Sequence, residues 1–295
     1  MDTTTEALAG RAAFEELCEV LRPAPGRRAT FIGQPWPVQW GVPYGGILVA
    51  QAFAAAAATV GPGFWVRSLH AYFLQAGSAD APVDIDVTTV RDGRGSNWRS
   101  VEVLQEERPL IRAELMFSID TVGPRHQDPM PSVPRPDGLD NVGAVLAPYR
   151  EDTFTPWGEH SPFDLRYVTC PPRIDAERGH GEARSAAWLR ALGSAGEDRH
   201  LATALLIHAS DMCMLDPCLR PHAMWFGAGS AEGRSVDHSM WFHGTPRVDD
   251  WILMSQRSPG MRDGRGLGLA EMYAADGELL CSIAQLGFIR PTDRS

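Results

Sequence analysis

The 295-residue sequence contains no lysine, so all 27 of its basic side chains are arginines, against 37 acidic ones. With a formal charge of -10 and no run of basic residues, the chain lacks the concentrated positive surface that a nucleic-acid backbone requires. Cysteine is sparse. Cys18, Cys170, Cys213, Cys218 and Cys281 form an odd set without a CxxC pair, which signals neither a disulfide framework nor a zinc site. Long apolar runs are missing too. The longest, Ile47 to Val60, has 14 residues and contains Gln51, whereas a membrane-spanning helix needs roughly 20. The opening Met1 to Glu6 has neither the basic region nor the apolar core of a secretory signal, and the expected location is the cytoplasm. GxSxG, HExxH and GxxxxGK[ST] do not occur; this removes the nucleophile elbow, the zincin helix and the phosphate loop as starting points.

What is present is an ordinary globular composition, 44% hydrophobic and 22% charged, arranged in two halves. Prolines at 124, 129, 131, 134 and 136 crowd a stretch through which neither a helix nor a central strand can run. The reading is therefore a first unit over residues 1–120, a proline-rich linker over 121–161 and a second unit over 162–295, strand-like again from Phe163 to Val168.

The halves repeat one another. Arg91-Asp92-Gly93-Arg94-Gly95 recurs as Arg262-Asp263-Gly264-Arg265-Gly266. Upstream, His70-Ala71-Tyr72-Phe73 pairs with His238-Ser239-Met240-Trp241-Phe242; downstream, Ala113 to Phe117 pairs with Ala284 to Phe288. Three ordered matches point to internal duplication. Each half is expected to open with a buried helix, Ile47 to Thr59 and Leu201 to Met214, apolar round most of its circumference. Strands rich in Val, Ile, Thr and aromatics follow. They are expected at Val66 to Leu74, Val83 to Val90, Trp98 to Gln105 and Leu110 to Ile119, then at Ser235 to His243, Trp251 to Gln256, Leu267 to Tyr273 and Leu279 to Ile289. One helix followed by consecutive antiparallel strands excludes a doubly wound parallel sheet. It fits an α+β unit, a curled sheet round a central helix.

Three polar residues stand out against this apolar background. Asp211 lies at the end of the second helix, where a carboxylate is costly without partners. It is either a cap left in a loop by an early helix end, or a general base. Gln285 sits on a strand face with Cys281, Ile283 and Gly287, while its first-half counterpart Glu114 shares a face with Arg112 in a solvent-like pattern. A buried amide satisfied by backbone groups and a site residue are both open readings. Ser235-Val236-Asp237-His238 carries more polar groups than a core strand requires. On a regular strand Ser235 and Asp237 face one way and His238 the other.

With these positions identified, the chain resembles the acyl-CoA thioesterase II family of double-hotdog enzymes. The resemblance rests on Val42-Pro43-Tyr44-Gly45-Gly46 with Gln51-Ala52, on Arg67 to Leu74, on His208-Ala209-Ser210-Asp211, on Ser235 to His243, and on Gln285 to Arg290. It implies two tandem hotdog domains, an acyl-CoA substrate, no cofactor or metal, and a homodimeric or higher assembly. It also implies that Asp211, Ser235 and Gln285 hold and activate a water molecule. Where Thr is usual, this sequence has Ser235, which keeps the hydroxyl and loses a methyl that restricts its rotamer. Met212, Met214, Met240 and Trp241 are candidate walls for an acyl channel, and Arg94, Arg262 and Arg265 candidate phosphate contacts. The alternatives are a hotdog hydratase or dehydratase using His70 or His238, and a non-catalytic acyl-CoA-binding protein.

Overall fold

The computed structural model describes residues 3–26, 30–34, 36, 41–151, 153 and 161–292. Met1, Asp2 and the linker positions 152 and 154–160 lie outside the described residues. The first half runs α1 (Thr3–Val20), β1 (Ala24–Pro25), β2 (Phe31–Gly33), α2 (Gly45–Ala57), β3 (Trp65–Phe73), β4 (Val83–Asp92), β5 (Ser96–Gln105) and β6 (Arg108–Ser118). After a short helix α3 (Val142–Val145), the second half runs β7 (Phe163–Tyr167), α4 (Pro172–Arg178), β8 (Arg184–Ala191), α5 (Arg199–Ser210), α6 (Asp216–Leu219), β9 (Ala231–Ser235), β10 (Asp237–Phe242), β11 (Ile252–Arg262), β12 (Arg265–Ala274) and β13 (Leu279–Pro291).

The strands form one antiparallel sheet in the order β1-β2-β4-β5-β6-β3-β10-β13-β12-β11-β8-β7, with β9 alongside β13. Read outwards from its middle, β3-β6-β5-β4-β2 mirrors β10-β13-β12-β11-β8, which is the duplication in three dimensions. The halves join at β3 and β10, where Tyr72 pairs with Asp237, His70 with Ser239 and Ser68 with Trp241. The RDGRG copies both fall at hairpins, β4–β5 and β11–β12. In the second, Arg262 pairs with Arg265 across Asp263 (φ 52°) and Gly264 (φ 71°). Two consecutive positive φ values suit the right-handed twist of the flanking strands.

The two central helices pack against each other inside the sheet. α2 is rich in alanine, the best helix former. Ile47, Leu48, Val49, Ala50, Ala52, Phe53, Ala55, Ala56 and Ala57 are all buried, so every side of it meets protein. The Arg99 guanidinium on β5, 1% exposed, donates to Thr59 Oγ1 (2.8 Å) and to the Thr59 carbonyl (3.0 Å) just beyond the helix end, and pairs with Asp92 Oδ1 at 2.7 Å. A cation is thereby held at the negative end of the α2 dipole. Among the described residues no helix is long and apolar enough to cross a membrane.

One expectation needs correction for both halves. Neither half opens with its central helix: α1, β1 and β2 precede α2, and β7, α4 and β8 precede α5. β8 escapes a pattern search because both of its faces are covered. Ala186 and Trp188 pack outwards beneath Met130, Val133 and Leu139 of the proline-rich stretch, and Trp188 Nε1 donates to the Pro134 carbonyl at 2.8 Å. With two buried faces, period-two alternation disappears.

Candidate active site

α5 ends at Ser210, and Asp211 is its C-cap. This is the early helix end expected of the first reading, yet the side chain is not left in solvent. Asp211 is half-buried and has neighbours from both halves of the chain. Gln285 Nε2 on β13 donates to Asp211 Oδ1 at 2.8 Å and stands 2.8 Å from Ser235 Oγ on β9. Ser235 and the Gly46 backbone N–H also lie near the Asp211 carboxyl and favour its charged form. The three residues singled out in the sequence therefore meet at one place.

Gly46 belongs to the first turn of α2, whose N–H groups have no partner within the helix. Tyr44, the N-cap residue, supplies no side-chain cap. The acid of the second half stands close to that helix end, placing negative charge at the positive end of the first-half helix. Such proximity needs glycine. A Cβ added at Gly45 would lie 2.8 Å from Asp211 Oδ2 and 2.9 Å from the Phe73 ring, and one at Gly46 would lie 2.7 Å from the His208 carbonyl. That carbonyl accepts the Tyr44 hydroxyl at 3.1 Å.

Burial pushes the Asp211 carboxyl above the ordinary carboxylate range; His238, Gln285, the Gly46 N–H and Ser235 pull the other way. Burial also lowers the His238 imidazole, and Asp211 opposes that shift. One α5 turn earlier, burial takes His208 down to about 3. Its ring is stacked on Phe163 (5.8 Å between centroids) and edge-on to Tyr44 (5.1 Å).

Ser235 and His238 share a face, contrary to the alternation expected of one continuous strand. The expected strand Ser235 to His243 breaks at Val236 into β9 and β10. Ser235 lies opposite Gly287 and Ser239 opposite Ala284, so three intervening residues on one side face two on the other. This extra residue is a bulge, and it swings Ser235 to the inner side. Inside, the buried His238 places Nδ1 in hydrogen-bonding contact with Gln285 Oε1 and Nε2 at 2.8 Å from Ser210 Oγ. Sequence reasoning named His238 only as an alternative catalyst and passed over Ser210.

Other candidates lie elsewhere. Trp241 is 41% exposed on the outer face with its ring beside His70, so it lines no interior channel; Met212, Met214 and Met240 are core residues. His70 also faces outwards, with Nδ1 at 3.1 Å from Ser239 Oγ. Arg262 and Arg265 pair with Asp263 in their own turn. Arg94 is exposed at the first-half hairpin.

Comparison with known proteins gives this geometry its context. Residues 32–118 match the family model of the acyl-CoA thioesterase N-terminal domain, and residues 130–289 that of the acyl-CoA thioesterase C-terminal domain. The chain belongs to the acyl-CoA thioesterase II family. It is 32% identical to human acyl-coenzyme A thioesterase 8 over 259 residues, covering 84% of this chain and 80% of that protein. It is 28% identical to acyl-CoA thioesterase 2 of Haemophilus influenzae, covering 84% and 87%. Among solved structures, a TesB protein of Mycobacterium avium subspecies paratuberculosis superposes with a TM-score of 0.77 at 26% identity, covering 94% of this chain and all of that one. Acyl-CoA thioesterase II TesB2 of Mycobacterium marinum gives 0.76 at 26% identity, covering 94% and 98%. The fold is the double hotdog of this family, with α2 and α5 as its two central helices.

Proposed function

We propose that this thioester hydrolase cleaves fatty acyl-CoA to free fatty acid and CoA by direct attack of a water molecule held by Asp211, Ser235 and Gln285. The observation that carries the proposal is the position of Gln285 Nε2, 2.8 Å from both Asp211 Oδ1 and Ser235 Oγ. One amide thus joins an acid from the core helix to a hydroxyl from the sheet.

In this mechanism Asp211 takes a proton from the water as its oxygen bonds to the thioester carbon. The carbonyl becomes an oxyanion, for which the N-terminus of α2 offers N–H groups and a favourable dipole. Collapse of the tetrahedral intermediate breaks the C–S bond, and the proton held by Asp211 leaves with the CoA thiolate. No acyl-enzyme forms. Thiolate is a good leaving group, so positioning and oriented donors supply much of the acceleration.

The same reading divides the chain into an N-terminal hotdog over residues 1–120, a linking segment over 121–161 and a C-terminal hotdog over 162–295 carrying the acid, hydroxyl and amide. It takes the protein to be a cytoplasmic homodimer acting in fatty acid metabolism. Tyr72, Leu74 and Trp241, exposed on the two central strands and just beyond them, support pairing through the outer sheet face.

Thiol release from a panel of short, medium and long saturated acyl-CoAs tests the activity, and intact-protein mass after rapid quenching tests the route. Turnover without an acyl adduct is expected. Absorbance change from an enoyl-CoA without thiol release, or an acyl group on Ser235, would overturn the reading.

A further inference from the structure

Gln285 presents two ends of nearly the same shape, an oxygen and an NH2, and only one orientation serves the site. With the NH2 towards Asp211 and Ser235 it donates to both; turned over, its oxygen would face the carboxylate. Something must decide. We infer that His238, itself held by Ser210, is the positioning residue that fixes the direction of the Gln285 amide and so sets the geometry of the water-holding trio.

The contacts form a closed ring. Ser210 Oγ lies 2.8 Å from His238 Nε2. On its other side the imidazole meets Gln285 Oε1 through Nδ1, and Gln285 Nε2 reaches Asp211 Oδ1, the residue next to Ser210. A chain of hydrogen bonds that starts at the last residue of α5 and ends at its C-cap fixes Asp211 and Gln285 relative to each other. Ser210, His238 and Gln285 are each at most 1% exposed, so solvent cannot stand in for a missing member.

The direction of each bond follows from proton counting. Gln285 Oε1 only accepts, so His238 Nδ1 must carry hydrogen. Burial keeps the ring neutral, which leaves Nε2 as an acceptor and turns the Ser210 hydroxyl towards it. Ser210 Oγ also lies 2.7 Å from the Ile207 carbonyl, so its single proton is shared between that oxygen and Nε2. Ser210 holds the ring at Nε2, and the hydrogen on Nδ1 holds the amide oxygen, which keeps the NH2 turned towards Asp211 and Ser235.

The inference rests on Gln285 acting in hydrolysis, and the experiment separates the two claims. Purified His238→Leu, His238→Asn and Gln285→Ala proteins are compared with wild type for kcat, KM and melting temperature on one acyl-CoA. Leucine removes the Nδ1 donor, whereas the asparagine amide restores an N–H close to that position. Expected is a loss in kcat of about tenfold or more for His238→Leu, with KM nearly unchanged, and recovery of most of it in His238→Asn. Wild-type kcat in His238→Leu, with Gln285→Ala impaired, would overturn this inference alone. Equal losses in both His238 variants that track their melting temperatures would overturn it as well. Wild-type turnover by Gln285→Ala would instead remove the functional reading beneath it. Should His238→Leu not fold, nitrogen-detected NMR of the wild-type imidazole decides: a proton on Nδ1 is expected, and one on Nε2 would overturn the inference.

Discussion

Gly45 of the first hotdog stands so close to Asp211 of the second that one added carbon would meet the carboxylate Oδ2 at 2.8 Å. The same carbon would meet the Phe73 ring at 2.9 Å, so the carboxylate and the ring would have to shift to admit it. The site is therefore shared, with a helix N-terminus from one repeat and an acid, amide and hydroxyl from the other.

Gly45→Ala should displace the Asp211 carboxyl from its partners while leaving the fold intact. Alanine is the better helix former, so the expected result is a kcat lower by about tenfold with a melting temperature close to wild type. Thiol-release kinetics and a thermal melt on the same preparation check both parts. A drop in melting temperature proportional to the loss in rate would mean that Gly45 serves packing alone.

Activity should rise with pH along a limb set by Asp211. A general base works deprotonated, and burial raises this carboxyl above its ordinary 3.8; the midpoint of the limb is expected above that value. Gln285 donates to the charged form and so holds the pKa down. Removing the donor with Gln285→Met should move the limb of the residual activity further upwards. The pH dependence of kcat, measured on both proteins, reads this directly, and a downward shift would contradict the assignment.

His208 gives a stability prediction with the opposite sense. Its folded pKa, about 3, lies below its ordinary 6.5, so between these values the unfolded chain takes up a proton that the native state refuses. The stability this ring contributes is complete above pH 6.5 and is lost as pH falls. Linkage puts the loss on the order of 3 kcal/mol between pH 6.5 and about pH 4. His208→Phe, which keeps an aromatic ring between Phe163 and Tyr44, should flatten that part of the curve. Urea unfolding at a series of pH values would show the difference in slope.

The central helices and eight strands were legible because their signals are local: alanine-rich apolar runs, period-two alternation and a repeated RDGRG turn. β8 was not, since its outer face is covered by residues from the proline-rich stretch, and a pattern confined to one segment carries no trace of a distant cover. Asp211 and Gln285 could be found as polar intrusions into apolar elements. The orientation of Ser235 could not, because a single bulge at Val236 reverses the face assignment of everything before it. His238 entered only as a catalyst for the hydratase alternative and Ser210 only as a polar residue in an apolar helix; their contact appears only when α5, β10 and β13 are brought together. The family resemblance identified Asp211, Ser235 and Gln285 as a group, and the geometry adds the first-half helix end beside which the carboxylate stands.

The most direct measurement is the turnover of Asp211→Asn on an acyl-CoA that the wild-type enzyme hydrolyses. Asparagine nearly preserves the shape of the side chain but cannot accept the water proton. Thiol release should fall on the order of 100-fold or more, the usual scale for losing a general base, with KM little changed and the fold retained. A variant that is folded and as fast as wild type would show that the carboxylate is not the base.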